Sequence, residues 1–119
     1  MPRRDPRMYL HDVLDAGERI TRQTQGLTPE QFASDPDRRL ICERCFEIIG
    51  EAVRQLLQQR PDLAPRIPEA PRIIALRNIV IHAYFLVDPA VLLDVAQQHL
   101  PALLDVCRTL LDELGGPNP

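Results

Sequence analysis

The 119-residue sequence contains no lysine and no tryptophan, and only three of its residues are cysteines. All 14 basic side chains are therefore arginines, whose planar guanidinium suits paired hydrogen bonds to phosphate or carboxylate oxygens. The net charge of −3 and the pI of about 5.5 argue against a protein that coats nucleic acid through a basic surface. An RNA-directed function would therefore need a local cluster of arginines.

Long apolar runs are also absent. The nearly uncharged run at residues 79–87 is far too short to cross a bilayer. The N-terminal segment MPRRDPRMYL lacks the apolar core and cleavage site of a secretory signal. We therefore expect a cytoplasmic protein without a membrane segment. At this length the chain should form a single domain, residues 1–119, around one hydrophobic core.

An odd number of cysteines provides no disulfide framework. Cys42 and Cys45 form a C-x-x-C pair inside a strongly helical run, but no second pair or nearby histidine completes a metal site. Free cysteines are commonly buried as small apolar residues. We therefore favour core packing over metal or redox chemistry, and we expect no metal and no cofactor.

Helix-start signals recur along the chain as Asp-Pro or Thr-Pro pairs. Apolar residues follow each pair at helical spacing, and no alternating strand pattern of useful length appears. The sequence predicts an all-α fold, an antiparallel four-helix up-and-down bundle with one short extra helix. The predicted long helices begin at Pro6, at Pro36, near Pro71 and at Pro89, and the short turn or helix begins at Pro29.

Three positions interrupt this pattern. Residues 61–71 contain four prolines and are predicted to be irregular. Pro101 should kink the last helix because it lacks a backbone donor. Gly50, in the middle of a helix, costs about 1 kcal/mol relative to alanine. Its presence is either a tolerated cost or a sign that another helix or subunit approaches closely.

The segment LRNIVIHAYF, residues 76–85, places four polar side chains in an apolar run. Asn78 and His82 are four residues apart and Arg77 and Tyr84 are seven apart, so each pair should align on a continuous helix. If the helix extends that far, one side of its end gathers a guanidinium, an amide, an imidazole and a phenol.

These groups suit phosphoryl transfer without a metal. His82 can donate or accept a proton near neutral pH, because an imidazole titrates near pH 6.5. Arg77 can hold phosphate oxygens and stabilise the charge of the transition state. Asn78 can orient the imidazole, and Tyr84 can orient the phosphate. Spacing alone favours structural residues over catalysts, and a single histidine would most simply meet its acid or base partner in a second copy.

The segment RNIVIHAY resembles the R-x4-6-H-x-Y signature of HEPN ribonucleases. More narrowly, the chain is similar to the HepT toxin family of HEPN/MNT toxin–antitoxin modules over nearly its whole length. The segments that carry the likeness are MYLHDVLDAGERI, GLTPEQF, RLICERCFEIIGEAVRQL, LRNIVIHAYFLVD and the LP of the last helix. Family members commonly have glycine where this chain has Ala83, and tryptophan where it has Pro71-Arg72.

The resemblance implies a HEPN-like helical homodimer that cleaves RNA, tRNA or mRNA, without metal at a cleft in the dimer interface. Arg77 and His82 would be catalytic and Asn78 would support them. Tyr84 would be the residue that receives AMP from a cognate MNT-type nucleotidyltransferase antitoxin, as in type VII modules. Arg44 and Glu51 would line the cleft, with ordinary helix-surface pairing an equal alternative.

Two other readings stay open. One is a non-catalytic HEPN-type module that binds a nucleotide or a nucleotidyltransferase partner. The other is a helical adaptor that dimerises through the face of Gly50.

Overall fold

The computed structural model describes residues 4–115, and all regular structure within that range is helical. Four long helical units, α1, α3, α4 and the combined α5–α6, form the bundle and α2 is the short extra helix, which confirms the predicted all-α fold. The helices are α1 (Pro6–Thr24), α2 (Pro29–Ala33), α3 (Pro36–Gln59), α4 (Ala70–His82), α5 (Pro89–Asp94) and α6 (Leu100–Glu113). Two 3-10 helices (Pro61–Arg66 and Tyr84–Leu86) and a π-helical turn (Val95–His99) join them.

Side-chain caps fix the helix starts. Asp5, Asp35 and Asp88 each accept a hydrogen bond from a backbone N–H of the first turn. Thr28 and Gln31 form a reciprocal capping box at the start of α2. A proline follows each of the four caps, where a missing N–H costs nothing. These caps confirm the predicted starts of α1, α2, α3 and α5.

The proline-rich connection after α3 differs from the prediction of irregular structure. Pro61–Arg66 is a 3-10 helix, so that part of the prediction is wrong. The flanking bonds use only non-proline donors: the Leu63 N–H donates to the Arg60 carbonyl and the Ile67 N–H to the Ala64 carbonyl. Leu63 is buried and ties the connection to the core.

Pro101 is accommodated by a change of helix type. The turn before it, Val95–His99, is π-helical, and the Leu100 N–H donates to the carbonyl of Val95, five residues earlier. A π turn inserted in an α-helix shifts the hydrogen-bond pattern by one residue. Pro101 has no backbone N–H to donate, and the wider π-helical turn just before it accommodates this missing hydrogen bond.

The helices α1 and α3 run antiparallel in a register that two hydrogen bonds fix. Near one end the Tyr9 hydroxyl donates to Gln55 at 3.0 Å. Near the other the Arg38 guanidinium donates to the Gln23 carbonyl at 3.2 Å. The two elements therefore lie side by side along most of their length and form one wall of the core.

The helices α3 and α4 touch at Gly50. A Cβ atom at Gly50 would overlap the Cβ and Cγ atoms of Arg77 and would lie 3.2 Å from the carbonyl oxygen of Ile73. Of the two interpretations of this glycine, close approach of another helix is therefore the correct one, and the helix belongs to the same chain.

The three cysteines are buried in the core as free thiols. Burial raises the pKa of Cys42 and of Cys107 to about 12 and also raises the pKa of Cys45. Such thiols carry almost no thiolate at neutral pH. The prediction that they serve core packing is confirmed.

Within residues 4–115, no group of three or more histidine, cysteine or acidic side chains is arranged to hold a metal ion. No helix in the same range combines the length and the apolar character that crossing a membrane requires.

Candidate active site

An open cavity of about 380 Å³ lies over α3, between α1 and α4. Its polar groups come from all three helices, because α1 and α3 are held in register and α4 closes against Gly50. The lining residues are Arg4, Tyr9, Asp12, Arg44, Glu47, Ile48, Glu51, Ala52, Gln55, Arg77 and Ile81. The cavity therefore includes Arg77 together with both residues that were predicted to line a cleft, Arg44 and Glu51.

Arg77 sits at the edge of the buried face of α4 and is anchored by two hydrogen bonds. Its Nη2 donates to Glu51 Oε2 at 2.6 Å, and its Nη1 donates to Asn78 Oδ1 at 2.8 Å. Its Nε is buried and has no partner among the described residues. A guanidinium carries five N–H donors, so besides the buried Nε–H two donors, one on each Nη, remain for a ligand in the cavity.

Glu51 is the centre of the charge network around Arg77. Its carboxylate accepts hydrogen bonds from Arg54 Nη2 at 2.5 Å and from Gln55 Nε2 at 2.7 Å, besides the one from Arg77. The bond from Arg54 lowers the pKa of Glu51 to about 2, aided by Gln55 and by the charges of both arginines, while partial burial opposes it. Two guanidiniums thus share one carboxylate, and a net positive charge remains beside the cavity.

The network extends from Glu51 to α1. The Tyr9 hydroxyl donates to Gln55 Oε1 at 3.0 Å, Gln55 Nε2 donates to Glu51, and Glu51 holds Arg77. Tyr9 is almost fully buried, so the residue at the start of this chain of contacts is held in place by the core. Sequence reasoning missed Tyr9 and Gln55, because their contact depends on the register between helices. It also missed Arg54, although the i,i+3 spacing of Glu51 and Arg54 on α3 is visible in the sequence.

The other two arginines of the cavity are each paired with one carboxylate. Arg4 Nη1 lies 2.8 Å from Asp12 Oδ2, and the Arg4 guanidinium covers the ring of Tyr9. Arg44 Nη1 lies 2.9 Å from Glu47 Oε1, and the Arg44 side chain is two-thirds exposed. Exposed pairs of this kind contribute little to stability, so Arg44 can exchange Glu47 for another anion.

His82 is the last residue of α4 and is exposed. Five residues separate it from Arg77, which on a helix turns its side chain to a different face. It does not line the cavity that Arg77 lines, and its ring makes no hydrogen bond or ion pair with residues 4–115. Asn78, predicted to bind the imidazole, accepts a hydrogen bond from Arg77 instead.

Tyr84 lies outside the helix that carries the other three motif residues. α4 ends at His82, Ala83 is its C-cap, and Tyr84 begins a 3-10 helix. The helix therefore does not extend far enough to meet the condition under which Tyr84 was expected to align with Arg77. Tyr84 instead borders a separate groove with Leu40, and its side chain is 69% exposed.

Comparison with known proteins identifies the family. The model of the family described as "Ribonuclease HepT-like" matches residues 13–110. The chain belongs to this family of ribonucleases. The match confirms the family and the enzyme class that the motif in α4 suggested.

Relatives match over nearly their whole length. A protein of Thermococcus cleftensis named "Probable ribonuclease HepT" is 34% identical over 101 residues, 85% of this chain and 91% of the relative. A "Putative RNase" of Methanocaldococcus jannaschii is 28% identical over 116 residues, 98% of this chain and 95% of the relative. Another "Putative RNase", from Caldanaerobacter subterraneus, is 29% identical over 108 residues, 91% of this chain and 96% of the relative. No solved structure matches the chain.

Proposed function

We propose that this HepT-like protein is a metal-independent endoribonuclease and the toxin of a type VII-like HEPN/MNT toxin–antitoxin module. The observation that carries the proposal is the arrangement of Arg77. Its guanidinium is fixed at an open cavity, retains one N–H donor on each Nη and shares its carboxylate partner with Arg54. An arginine held in this way suits a phosphate diester whose negative charge increases in the transition state.

The catalytic site requires two copies of the chain. His82 and Arg77 of one copy face different surroundings, so a second copy that brings its own His82 to the cavity would complete the site. An exposed apolar surface for such a contact lies at the end of α4 and in the following 3-10 helix. Its members are Ile79, Ile81, Tyr84, Phe85 and Leu86, each more than one-third exposed. Exposed apolar patches of this kind commonly mark interfaces between proteins.

In the proposed reaction, His82 either removes the proton of a ribose 2′-hydroxyl or protonates the leaving 5′-oxygen. The 2′-oxygen attacks the adjacent phosphorus, the bond to the 5′-oxygen breaks, and Arg77 holds the phosphate throughout. The products are a 2′,3′-cyclic phosphate and a 5′-hydroxyl. Asn78 keeps Arg77 oriented through its hydrogen bond. The substrate is tRNA or mRNA.

We further propose that a cognate nucleotidyltransferase antitoxin neutralises the protein by transferring AMP to Tyr84. The exposure of the Tyr84 side chain supports this role, because a modifying enzyme must reach the phenol oxygen. The added phosphate is negatively charged and would repel an RNA strand from the surface beside His82.

Expression in a bacterial host tests the activity. The wild-type protein should arrest growth, whereas Arg77→Ala and His82→Ala should not. RNA from arrested cells should carry new 5′-hydroxyl ends, which a kinase can label directly. New 5′-phosphate ends, or full toxicity of His82→Ala, would overturn the proposed chemistry.

The alternative is a non-catalytic HEPN-type module that binds a nucleotide or a nucleotidyltransferase partner. The balance of three arginines and three acidic residues around the cavity favours it, since such a lining attracts polyanions weakly. A protein that binds its partner but leaves RNA intact would establish this alternative.

A further inference from the structure

Arg19 and Arg22 are exposed on α1, outside the cavity. They are three residues apart and therefore neighbours on the helix surface. Most arginines of the described range form an ion pair, but these two form none with residues 4–115. Asp15 and Glu18, four residues before Arg19 and Arg22 respectively, are exposed on the same helix without pairing with them. Unpaired guanidiniums on a protein of net charge −3 are available to an external anion.

The helix register places these arginines at one end of the cavity. The contacts Tyr9–Gln55 and Arg38–Gln23 bracket α1 and α3, so Arg19 lies at about the level of Arg44. Arg44 lines the cavity, and so does Asp12, which lies two turns from Arg19 on α1. Arg19, Arg22 and Arg44, which we call the arginine track, therefore continue the cavity along the α1–α3 groove.

The electrostatics of Cys45 support this placement. Burial raises the pKa of its thiol, and the charges of Arg19, Arg44 and Arg22 act in the opposite direction. All three guanidiniums are thus close enough to the same buried thiol on α3 to influence it. They come from two different helices, so their proximity is a product of the fold and not of one helix face alone.

We propose that the arginine track binds the backbone phosphates of an RNA strand on one side of the phosphate held by Arg77. The inference rests on the proposed ribonuclease function and extends it to the path of the substrate. Contacts between arginine and phosphate position a strand without reading its sequence. A track of this kind supplies the local cluster that an acidic RNA-binding protein needs. Arg44 joins it by exchanging its exposed partner, Glu47, for a phosphate.

An RNA strand fits the track better than an acidic peptide does, because the track continues into the cavity that holds Arg77. The anionic groups of one strand would meet Arg19, Arg44 and Arg77 in succession. Arg44 and Glu51, which contacts Arg77, are seven residues apart on α3, or roughly 10 Å. The track therefore lies beyond the phosphate being cleaved, where only a longer substrate can reach it.

The double variant Arg19→Gln/Arg22→Gln tests the track. Its matched control is Arg72→Gln/Arg108→Gln, which removes the same charge from exposed arginines that do not line the cavity. With a single-stranded 12-nucleotide RNA, the track variant should raise KM at least about fivefold. The slope of log KM against log salt should fall by about 1.4, or 0.7 for each lost phosphate contact. The control should leave both unchanged.

A dinucleotide substrate distinguishes an effect on RNA binding along the track from an effect on catalysis. It should be cleaved equally by the wild-type protein, the track variant and the control, because it is too short to reach the track. Equal KM and equal salt slopes for the two double variants on the 12-nucleotide RNA would overturn the inference.

If the wild-type protein cleaves neither RNA, the proposed function fails while the track can still be tested. Fluorescence anisotropy of the labelled 12-nucleotide RNA would then measure binding directly. Weaker binding by the track variant alone, with the reduced salt slope, would support the track. Identical binding curves for the two double variants, or displacement of the RNA by a poly-aspartate peptide of equal charge at equal concentration, would overturn it.

Discussion

At the scale of single residues, Arg77 is oriented by contacts that begin on another helix. Glu51 fixes one nitrogen of its guanidinium and Asn78 fixes the other, while Gln55 holds Glu51 in place. A positioned donor stabilises a transition state without reorganising as the reaction proceeds. In the proposed reaction Glu51 would serve to orient the Arg77 guanidinium, although its negative charge would oppose the binding of a phosphate.

Glu51→Gln should separate these two effects. Loss of the negative charge leaves Arg54 and Arg77 free to attract RNA, so KM should stay equal or fall. Loss of the carboxylate lets the guanidinium move, so kcat should fall about tenfold, as misplacement of a catalytic group does. Glu47→Gln, in the same cavity but paired with Arg44, is the matched control and should keep kcat. Steady-state kinetics on the 12-nucleotide RNA provide the measurement.

The pH dependence of activity gives a second check at this scale. The pKa of Glu51 is lowered to about 2, so its stabilisation of the folded state is complete above its ordinary pKa and is lost progressively as the pH falls from there through about 2. The carboxylate therefore stays ionised across the range in which enzymes are assayed. Glu51 should therefore contribute no acid limb to kcat/KM above pH 4, and the pH profile in that range should be the same in Glu51→Gln as in the wild-type protein. A change of that profile would show that Glu51 takes part in proton transfer.

Some of these residues were predictable and others were not. The resemblance that covers the chain singled out Arg77 and His82, and the helix that carries a similar segment suggested Arg44 and Glu51. The structure brings Arg77, Arg44 and Glu51 to one cavity, while His82 lies outside it. Tyr9 and Gln55 are 46 residues apart. Their contact depends on the register between two helices, which no local pattern encodes.

At the scale of helices, the contact between α3 and α4 at Gly50 places Arg77. Any side chain at this position would push against Arg77 and the carbonyl of Ile73. Alanine gains about 1 kcal/mol of helix propensity, but overpacking typically costs about 1–3 kcal/mol, so the net cost should be about 1 kcal/mol. The position therefore couples packing to the geometry of the cavity.

Gly50→Ala should lower the free energy of unfolding by about 1 kcal/mol and reduce kcat/KM by about tenfold, because Arg77 is displaced. Gly17→Ala is the matched control. Its new Cβ would meet the flexible end of Leu104, so activity should be retained even if stability changes. Urea unfolding and kinetics on the same preparations would measure both. Unchanged kinetics in Gly50→Ala would show that Arg77 tolerates a shift of α4.

The starts of α1, α2, α3 and α5 were predictable because each depends on a cap and a proline that are adjacent in sequence. The end of α4 was not, since Ala83 carries no stop signal of the kind that glycine or proline provides. Pro101 indicates that the last helix departs from regular α-helical hydrogen bonding. A helix can accommodate the missing donor by a kink or by a wider turn, and the packing of the helix decides which of the two forms.

At the scale of the whole molecule, the proposed dimer can be tested by complementation. Mixed Arg77→Ala and His82→Ala chains form heterodimers in which one of the two sites combines an intact Arg77 with an intact His82. With random pairing around a two-fold axis, activity should return to about one quarter of the wild-type value. If each site takes both residues from one copy, the mixture should stay inactive. Phe85→Ser/Leu86→Ser in both chains should abolish the recovery by weakening the apolar contact.

The bond between Glu51 and Arg77 also bears on turnover. When the cavity is empty, the guanidinium beside Gly50 still has an anionic partner, so departure of a product does not leave a bare cation in a half-buried place. The guanidinium therefore keeps a hydrogen-bonded partner in the empty protein. In an RNA-cleaving cycle, a cyclic-phosphate end would be released without a compensating movement of α4, and successive strands would meet an arginine already in position.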